Sequence, residues 1–482
     1  MSPSGNSGGK LREVFYLAQN TTSLIGVALT TASALTLIAF WFYFGVMAGT
    51  PHPYLGILVF VLLPALFAAG LLLIALGVWF ERRSLRARGE LKTEYPAIDF
   101  AHPTVRRAFW IVFGLTAVNF FILGTASFNA VHYMESKSFC GETCHSVMGP
   151  EFLAYQNSPH SRVECTACHV GPGGKWFIRS KLSGTRQLVE LTLGTYNRPI
   201  PTPVKNLRTA TETCEECHAS QRYIGNKVVV RRAYADDEKN TRTFTVLLMH
   251  VGGPGPQGPV GIHGHHLRAG QRISYVAIDE KWESIPVVTV EDAKGNKVTY
   301  TSTDIQATPE QLEKGEHREM DCTDCHNRPT HIFELPEAAV DKQIALGHIS
   351  SDLPFIKKKA IELIKAEYPD RDAAKQAIAS GIDSYYKTSY ADIYANKHDM
   401  VAQAGSAVTA IYLRNVYPAL KLTWGTHPTK LGHMDSPGCF RCHDGSHTSK
   451  DGKTIANDCD LCHAMIAQDE EKPQVLVDAG LQ

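Results

Sequence analysis

The chain has no unpaired cysteine: all twelve fall in six pairs, and every second member is followed at once by histidine. It has no net charge either, with 48 basic against 48 acidic residues, so composition singles out neither nucleic acid nor an acidic substrate. Charge is also missing locally, since residues 14–80 and 108–134 hold no Asp, Glu, Lys or Arg. A disulfide framework or a zinc ribbon needs no imidazole beside each pair, and iron–sulfur clusters need closely spaced runs of four cysteines. The pattern fits none of these.

What is present is C-x-x-C-H, the attachment signature of c-type haem, in which two thiols bond the porphyrin and the adjacent imidazole reaches the iron. Five sites have this spacing: Cys165, Cys168, His169; Cys214, Cys217, His218; Cys322, Cys325, His326; Cys439, Cys442, His443; and Cys459, Cys462, His463. The first, Cys140, Cys144 and His145 in CGETCH, is one residue wider. With 21 histidines in 482 residues, six in these places by chance has a probability on the order of one in 10⁸. Six covalently attached haem c groups make the chain an electron carrier.

The two uncharged stretches are apolar enough to span a bilayer, for which about 20 residues suffice. The first is broken by Gly49-Thr-Pro-His-Pro53 and reads as a hairpin, Thr22–Ala48 and Tyr54–Phe80, with a third helix at Trp110–Tyr133. Buried soluble helices rarely stay uncharged for this long. Arg82, Arg83, Arg86, Arg88, Lys92, Arg106 and Arg107 lie between helices two and three, and the hairpin tip is uncharged. The positive-inside rule therefore places 1–21 and 81–109 in the cytoplasm, and everything after about residue 133 in the periplasm of a bacterial inner membrane.

The expected fold is a mainly α membrane protein. It has three N-terminal transmembrane helices (22–80 as a hairpin, then 110–133) and a periplasmic multihaem domain of short helices, much irregular chain and a small β insertion. Haem sites one to three occupy 134–224, and 225–312 is β-rich, with short β-branched runs around the loop VGGPGPQGPVGIHGHH. Site four falls in 313–334, amphipathic helices in 335–416, and sites five and six in 417–482, with a charged, exposed tail after Met465.

Each iron needs a second axial ligand unless its site is left open for chemistry. His160, His331, His433 and His447 stand a few residues from attachment motifs and are expected to serve neighbouring haems. Of His250, His263, His265 and His266 around the glycine loop, one is expected as a ligand, with His263 the candidate and solvated imidazoles the alternative. Met148 is a candidate second ligand at site one, packing being its alternative role.

The stretch FCGETCHSVMGPEFLAYQNSPHSRVECTACHV resembles the first two haem sites of the NapC/NirT family of membrane-anchored quinol dehydrogenases, and CTDCHNRPTH looks like that family's fourth. Family members usually have one helix and four haems; the longer layout here is similar to the larger inner-membrane multihaem cytochromes of metal-respiring bacteria. The resemblance implies oxidation of menaquinol from the lipid bilayer near the first haem, with electrons leaving to a periplasmic c-type cytochrome or another soluble acceptor. By position, Arg179 and Lys181 match basic residues near the family's quinone pocket. Glu135, Glu142, Glu151 and His132 are candidate proton acceptors, each with an ordinary interfacial charge as its alternative. Two other readings stay open: a relay or anchor subunit of a larger respiratory complex, and a terminal oxyanion reductase, which needs an iron without a second ligand. The sequence leaves a homo-oligomer open and points to no nucleic acid.

Overall fold

The computed structural model describes residues 13–14, 16–46, 62–92, 101, 103–143, 145–171, 174–204, 208–218, 225–253, 260–267 and 270–481. The hairpin tip at 49–53 and Cys144 lie outside them. The chain divides into two compact units, Met1–His145 and Ser146–Gln482.

The first unit holds three long helices, α1 (Thr21–Val46), α2 (Leu63–Arg88) and α3 (Pro103–Glu135). Among the described residues two helices, within α1 and α2, are long and apolar enough to cross a membrane. Helices α1 and α2 pack through small and hydroxylated residues. A Cβ on Gly70 would stand 2.4 Å from Thr30 Oγ1, and one on Gly77 2.3 Å from Ser23 Oγ. Ser23 Oγ donates to the Ile74 carbonyl at 3.1 Å. Ser23, Thr30 and Ser33 are buried while Leu24, Leu35, Leu72, Phe121 and Phe128 face outward. Small residues at the seam and large apolar ones outside is the pattern of helices packed in lipid. Ile122 and Ala126 of α3 join Leu37, Leu63 and Phe67 in one core.

Helix α2 does not stop at Phe80 but runs on through the arginines to Arg88, ending where Gly89 takes φ 71°. Arginine is a good helix former, so charge moves the chain out of the apolar layer without ending the helix; glycine ends it.

In the second unit short helices surround the motifs: α4 (His145–Gln156), α5 (Cys165–His169), α6 (Gly174–Leu193), α7 (Ala210–Thr213), α8 (Ile262–His266) and α9 (Cys322–Cys325). The 335–416 segment forms helices α10 (Pro336–Ala345), α11 (Ile356–Lys365), α12 (Arg371–Ser389) and α13 (His398–Asn415). Their core follows helical spacing: Ile356, Ala360 and Ile364 on α11, and Ala374, Ile378, Ile382 and Tyr386 on α12.

The strands are β1 (Lys227–Tyr234), β2 (Arg242–Met249), β3 (Arg272–Ala277), β4 (Val287–Glu291), β5 (Lys297–Ser302), β6 (Glu316–Glu319), β7 (His447–Ser449) and β8 (His463–Glu470). They form two antiparallel sheets, ordered β1-β2-β8 and β6-β3-β4-β5-β7. This corrects the expectation of a self-contained insertion. Strands β7 and β8 come from the region of sites five and six, and β8 is the segment read as an exposed tail. It pairs with β2 because alternate residues Phe244 and Val246 bury against Ala467 and Leu476. The β1–β2 turn is pinned to the helices by Asn240, whose Nδ2 donates to the carbonyls of Ser351 and Leu353.

Candidate electron-transfer site

The motifs share a local geometry. In three of them the histidine N–H bonds the carbonyl of the first cysteine: His218 to Cys214 at 2.7 Å, His326 to Cys322 at 2.8 Å and His443 to Cys439 at 3.0 Å. One closed turn brings residues i, i+3 and i+4 to the same side, as two thioethers and one axial ligand require. At site four the turn is fixed by a capping box between Asp321 and Asp324.

Each motif histidine of sites two to six faces a second imidazole. Ring centroids are 6.2 Å apart for His169 and His331, and 6.0 Å for His218 and His160. The separations are 6.4 Å for His326 and His263, 5.8 Å for His443 and His266, and 6.3 Å for His463 and His433. With metal–nitrogen bonds of about 2.0–2.1 Å, two imidazoles on opposite sides of one metal ion stand roughly 6 Å apart, centroid to centroid. Among the described residues no group of three or more His, Cys, Asp or Glu is gathered to hold a metal ion. Two imidazoles and a planar macrocycle complete an iron's shell, so the residues present fit haem.

The ring nitrogens point the same way. Nδ1 lies 3.2 Å from the Pro329 carbonyl in His160 and 2.7 Å from the Ile262 carbonyl in His266. It lies 2.9 Å from the Glu151 carbonyl in His331 and 2.6 Å from the Ala456 carbonyl in His443. A carbonyl only accepts, so Nδ1 carries the proton and Nε2 is left for a metal. Burial lowers His169 to about 4, with His331 adding, and it lowers His263, His266 and His326.

The supports are specific. The Tyr155 hydroxyl donates to the carbonyls of Ser161 and Val163, holding the turn that carries His160. Residues 262–264 donate to the carbonyls of His250, Val251 and Gly252, a backbone approach that only glycine at 261 permits. That pairing sets His263 and His266 one turn apart on α8. His433 stacks on Phe440 at 4.7 Å.

One short segment, Cys325–His331, serves three sites. His326 belongs to site four, His331 faces His169 of site two, and the Pro329 carbonyl anchors His160, which faces His218 of site three. Neighbouring thiols continue the pattern. Cys168 is held up by burial, with Cys165 and Cys217 adding, and Cys214 by a hydrogen bond with Cys322. Burial pushes Cys325 up to about 11, with Cys439 adding, and Cys442 up to about 12, with Cys325 adding. Cys462 is raised by burial and then by Cys439. The sulfurs therefore run from site two to site six in chain order.

Several expectations need correction. Among the described side chains His447 faces no motif histidine: it is fully buried, with Nδ1 2.9 Å from Asp444 Oδ1 and Nε2 2.8 Å from the Ile285 carbonyl, so both ring nitrogens are engaged within the protein. One ligand was expected from the four glycine-loop histidines, but both His263 and His266 face a motif histidine, and the i, i+3 spacing in IHGHH puts them on the same side. Glu151 is paired: its Oε1 lies 3.2 Å from Arg328 and its Oε2 3.3 Å from His331 Nδ1. Arg179 and Lys181 lie on α6 in the second unit, whereas Glu135 ends α3 in the first. At site one, Cys140 is half-buried beside the turn Phe139–Thr143 and Met148 is half-buried on α4.

Residues 103–243 match the model of the NapC/NirT cytochrome c family, N-terminal region. The chain is 41% identical to the cytochrome c-type protein ImcH of Geobacter sulfurreducens over 465 residues, 96% of this chain and 90% of that protein. This chain belongs to the NapC/NirT cytochrome c family. It is also 33% identical to the cytochrome c-type protein NrfH of Wolinella succinogenes over 113 residues, 23% of this chain and 63% of that one. No solved structure matches it. The cytochrome is thus a membrane-anchored multihaem c-type electron-transfer protein with covalently bound haem c.

Proposed function

We propose that this cytochrome is a hexahaem menaquinol dehydrogenase of the bacterial inner membrane that hands electrons singly to a soluble periplasmic acceptor. The observation that carries the relay is the run of neighbouring thiols from site two to site six, each site with two facing imidazoles. In this reading the imidazoles that would hold the irons are His169 with His331, His218 with His160, His326 with His263, His443 with His266 and His463 with His433. Site one uses Cys140, Cys144 and His145, with Met148 as candidate second ligand. Haem, when bound, supplies one-electron chemistry. The paired imidazoles keep substrates off the iron at sites two to six, which weighs against an oxyanion reductase there.

Helices α1 to α3 span the bilayer, with the arginines after Phe80 in the cytoplasm and the second unit in the periplasm. Quinol oxidation takes place at site one, where α3 ends five residues before Cys140. In this reading Lys181 and Arg179 bind quinol, and Glu135 takes up a proton that its oxidation releases.

The test is to add a reduced menaquinol analogue to the oxidised protein in nanodiscs and follow the haem α-band. Prompt reduction, blocked by quinone-site inhibitors and slowed in Lys181→Leu with unchanged haem spectra, is the expected result. No reduction, in protein that dithionite reduces fully, overturns the dehydrogenase and leaves a relay.

A further inference from the structure

Helix α6 has an unusual surface. Ile178, Leu182, Leu188, Val189 and Leu193 are 52–69% exposed. At 100° per residue, Ile178, Leu182, Thr185, Val189 and Leu193 form one stripe, extended on one side by Leu188. The stripe runs four turns, roughly 22 Å. That is longer than a single porphyrin edge could cover. On the opposite side Trp176, Ser180 and Leu191 are part-buried, while Ser183 and Gln187 are exposed and polar.

Charge frames the stripe. Arg179 and Arg186 border it on one side and Lys181 on the other; with Lys175 they make four basic residues against one acid, Glu190. Arg179 lies over the Trp176 ring at 5.3 Å, and Arg186 reaches Glu190 at 3.4 Å. An apolar stripe between basic borders is the surface of a helix lying in a bilayer interface, its apolar residues among acyl chains and its basic ones at anionic headgroups. The bilayer is also close at hand: the chain is membrane-anchored, and 38 residues separate the end of α3 from the start of α6. Such a tether raises the effective concentration of the membrane surface.

We infer that α6 is a second membrane contact, an interfacial helix lying on an anionic lipid surface. The inference rests on membrane anchorage and is independent of quinol oxidation. Its occupant is phospholipid, neither a second copy of the chain nor a partner protein.

The test places a benzophenone maleimide on Leu182→Cys, on Val189→Cys and on Gln187→Cys of the exposed polar side opposite the stripe. Each is reconstituted, one copy per nanodisc, in phosphatidylethanolamine with phosphatidylglycerol, irradiated and weighed intact, with the unsubstituted chain as background. The proposal expects phospholipid adducts at 182 and 189 roughly ten-fold above those at 187, and fewer when phosphatidylcholine replaces the anionic lipid. Crosslinks within the chain, or no adduct at 182 and 189, overturn it. Equal yields in the two lipid mixtures overturn the part assigned to the basic residues. The masses are read without any redox assay, so failure here is separable from failure of the dehydrogenase reading.

Discussion

The Arg441 guanidinium donates to the Asp324 carbonyl at 2.6 Å. Arg441 lies between the cysteines of site five and Asp324 between those of site four, so one hydrogen bond joins two attachment loops. A second bond runs from Arg441 to the Trp282 carbonyl at 2.8 Å, and the Asp324 carboxylate accepts from Arg318 and Tyr275. Both residues are buried. Arg441→Met removes the donor to three carbonyls, those of Asp324, Trp282 and Gly438, and costs about 3 kcal/mol. Differential scanning calorimetry of the haem-loaded protein checks this; Arg441→Lys, keeping the charge, loses less.

His266 and His447 separate ligation from support. His266→Ala opens one coordination position, so one haem turns high-spin and binds carbon monoxide. His447→Ala leaves every haem low-spin but strips the Ile285 carbonyl and Asp444 of their partner, lowering stability by about 2 kcal/mol. Absorption spectra with and without carbon monoxide distinguish the two variants.

Ring orientation predicts the magnetic spectrum. The facing imidazoles are near parallel at site four (17°) and site six (27°), but steeply crossed at site three (71°) and site five (65°). Near-parallel axial rings split the iron d orbitals and give rhombic low-spin signals, whereas crossed rings give one strongly anisotropic signal. The electron paramagnetic resonance spectrum of the oxidised protein should contain both, and His160→Met should remove the site-three part of the anisotropic class while leaving that of site five.

Much of the site was legible in the sequence because attachment chemistry is local. Two thiols and an imidazole must share one turn, so CTDCH announces itself. The facing ligands are set in space, and nearness in sequence is a poor guide. His447, four residues after His443, turns into the β7 core, while His266 arrives from a segment more than a hundred residues away. Strand β8 was hidden for a similar reason. Its DEE run reads as a solvated tail, and only pairing with β2 gives Ala467 an apolar side to bury. The apolar hairpin was clear from its missing charges, but its end was not, because arginine continues a helix.

His427 gives a pH dependence. Burial lowers its pKa from the ordinary 6.5 to about 4, with Arg328 and Lys281 adding, and its Nδ1 lies 3.2 Å from Thr202 Oγ1. The folded state keeps it neutral while the unfolded chain takes up a proton below 6.5. Its contribution is thus fully present above that value and is lost as pH falls toward 4, about 3 kcal/mol in all. Urea midpoints between pH 7 and 4 should fall less steeply in His427→Phe than in the parent chain.

Glu151 sets its carboxylate beside His331 and pairs with Arg328. A negative charge near an axial imidazole favours the oxidised iron, so Glu151→Gln should raise the potential of one haem and leave the others in place. Spectroelectrochemical titration reads this directly.

The most direct measurement is the intact mass of the chain purified from cells competent in c-type cytochrome maturation, combined with its low-spin haem count. The expected result is six covalent haem additions and no free thiol, with at least five bis-imidazole irons. Fewer than five additions, or zinc in place of haem at any of the five C-x-x-C-H motifs, would contradict the relay at its foundation.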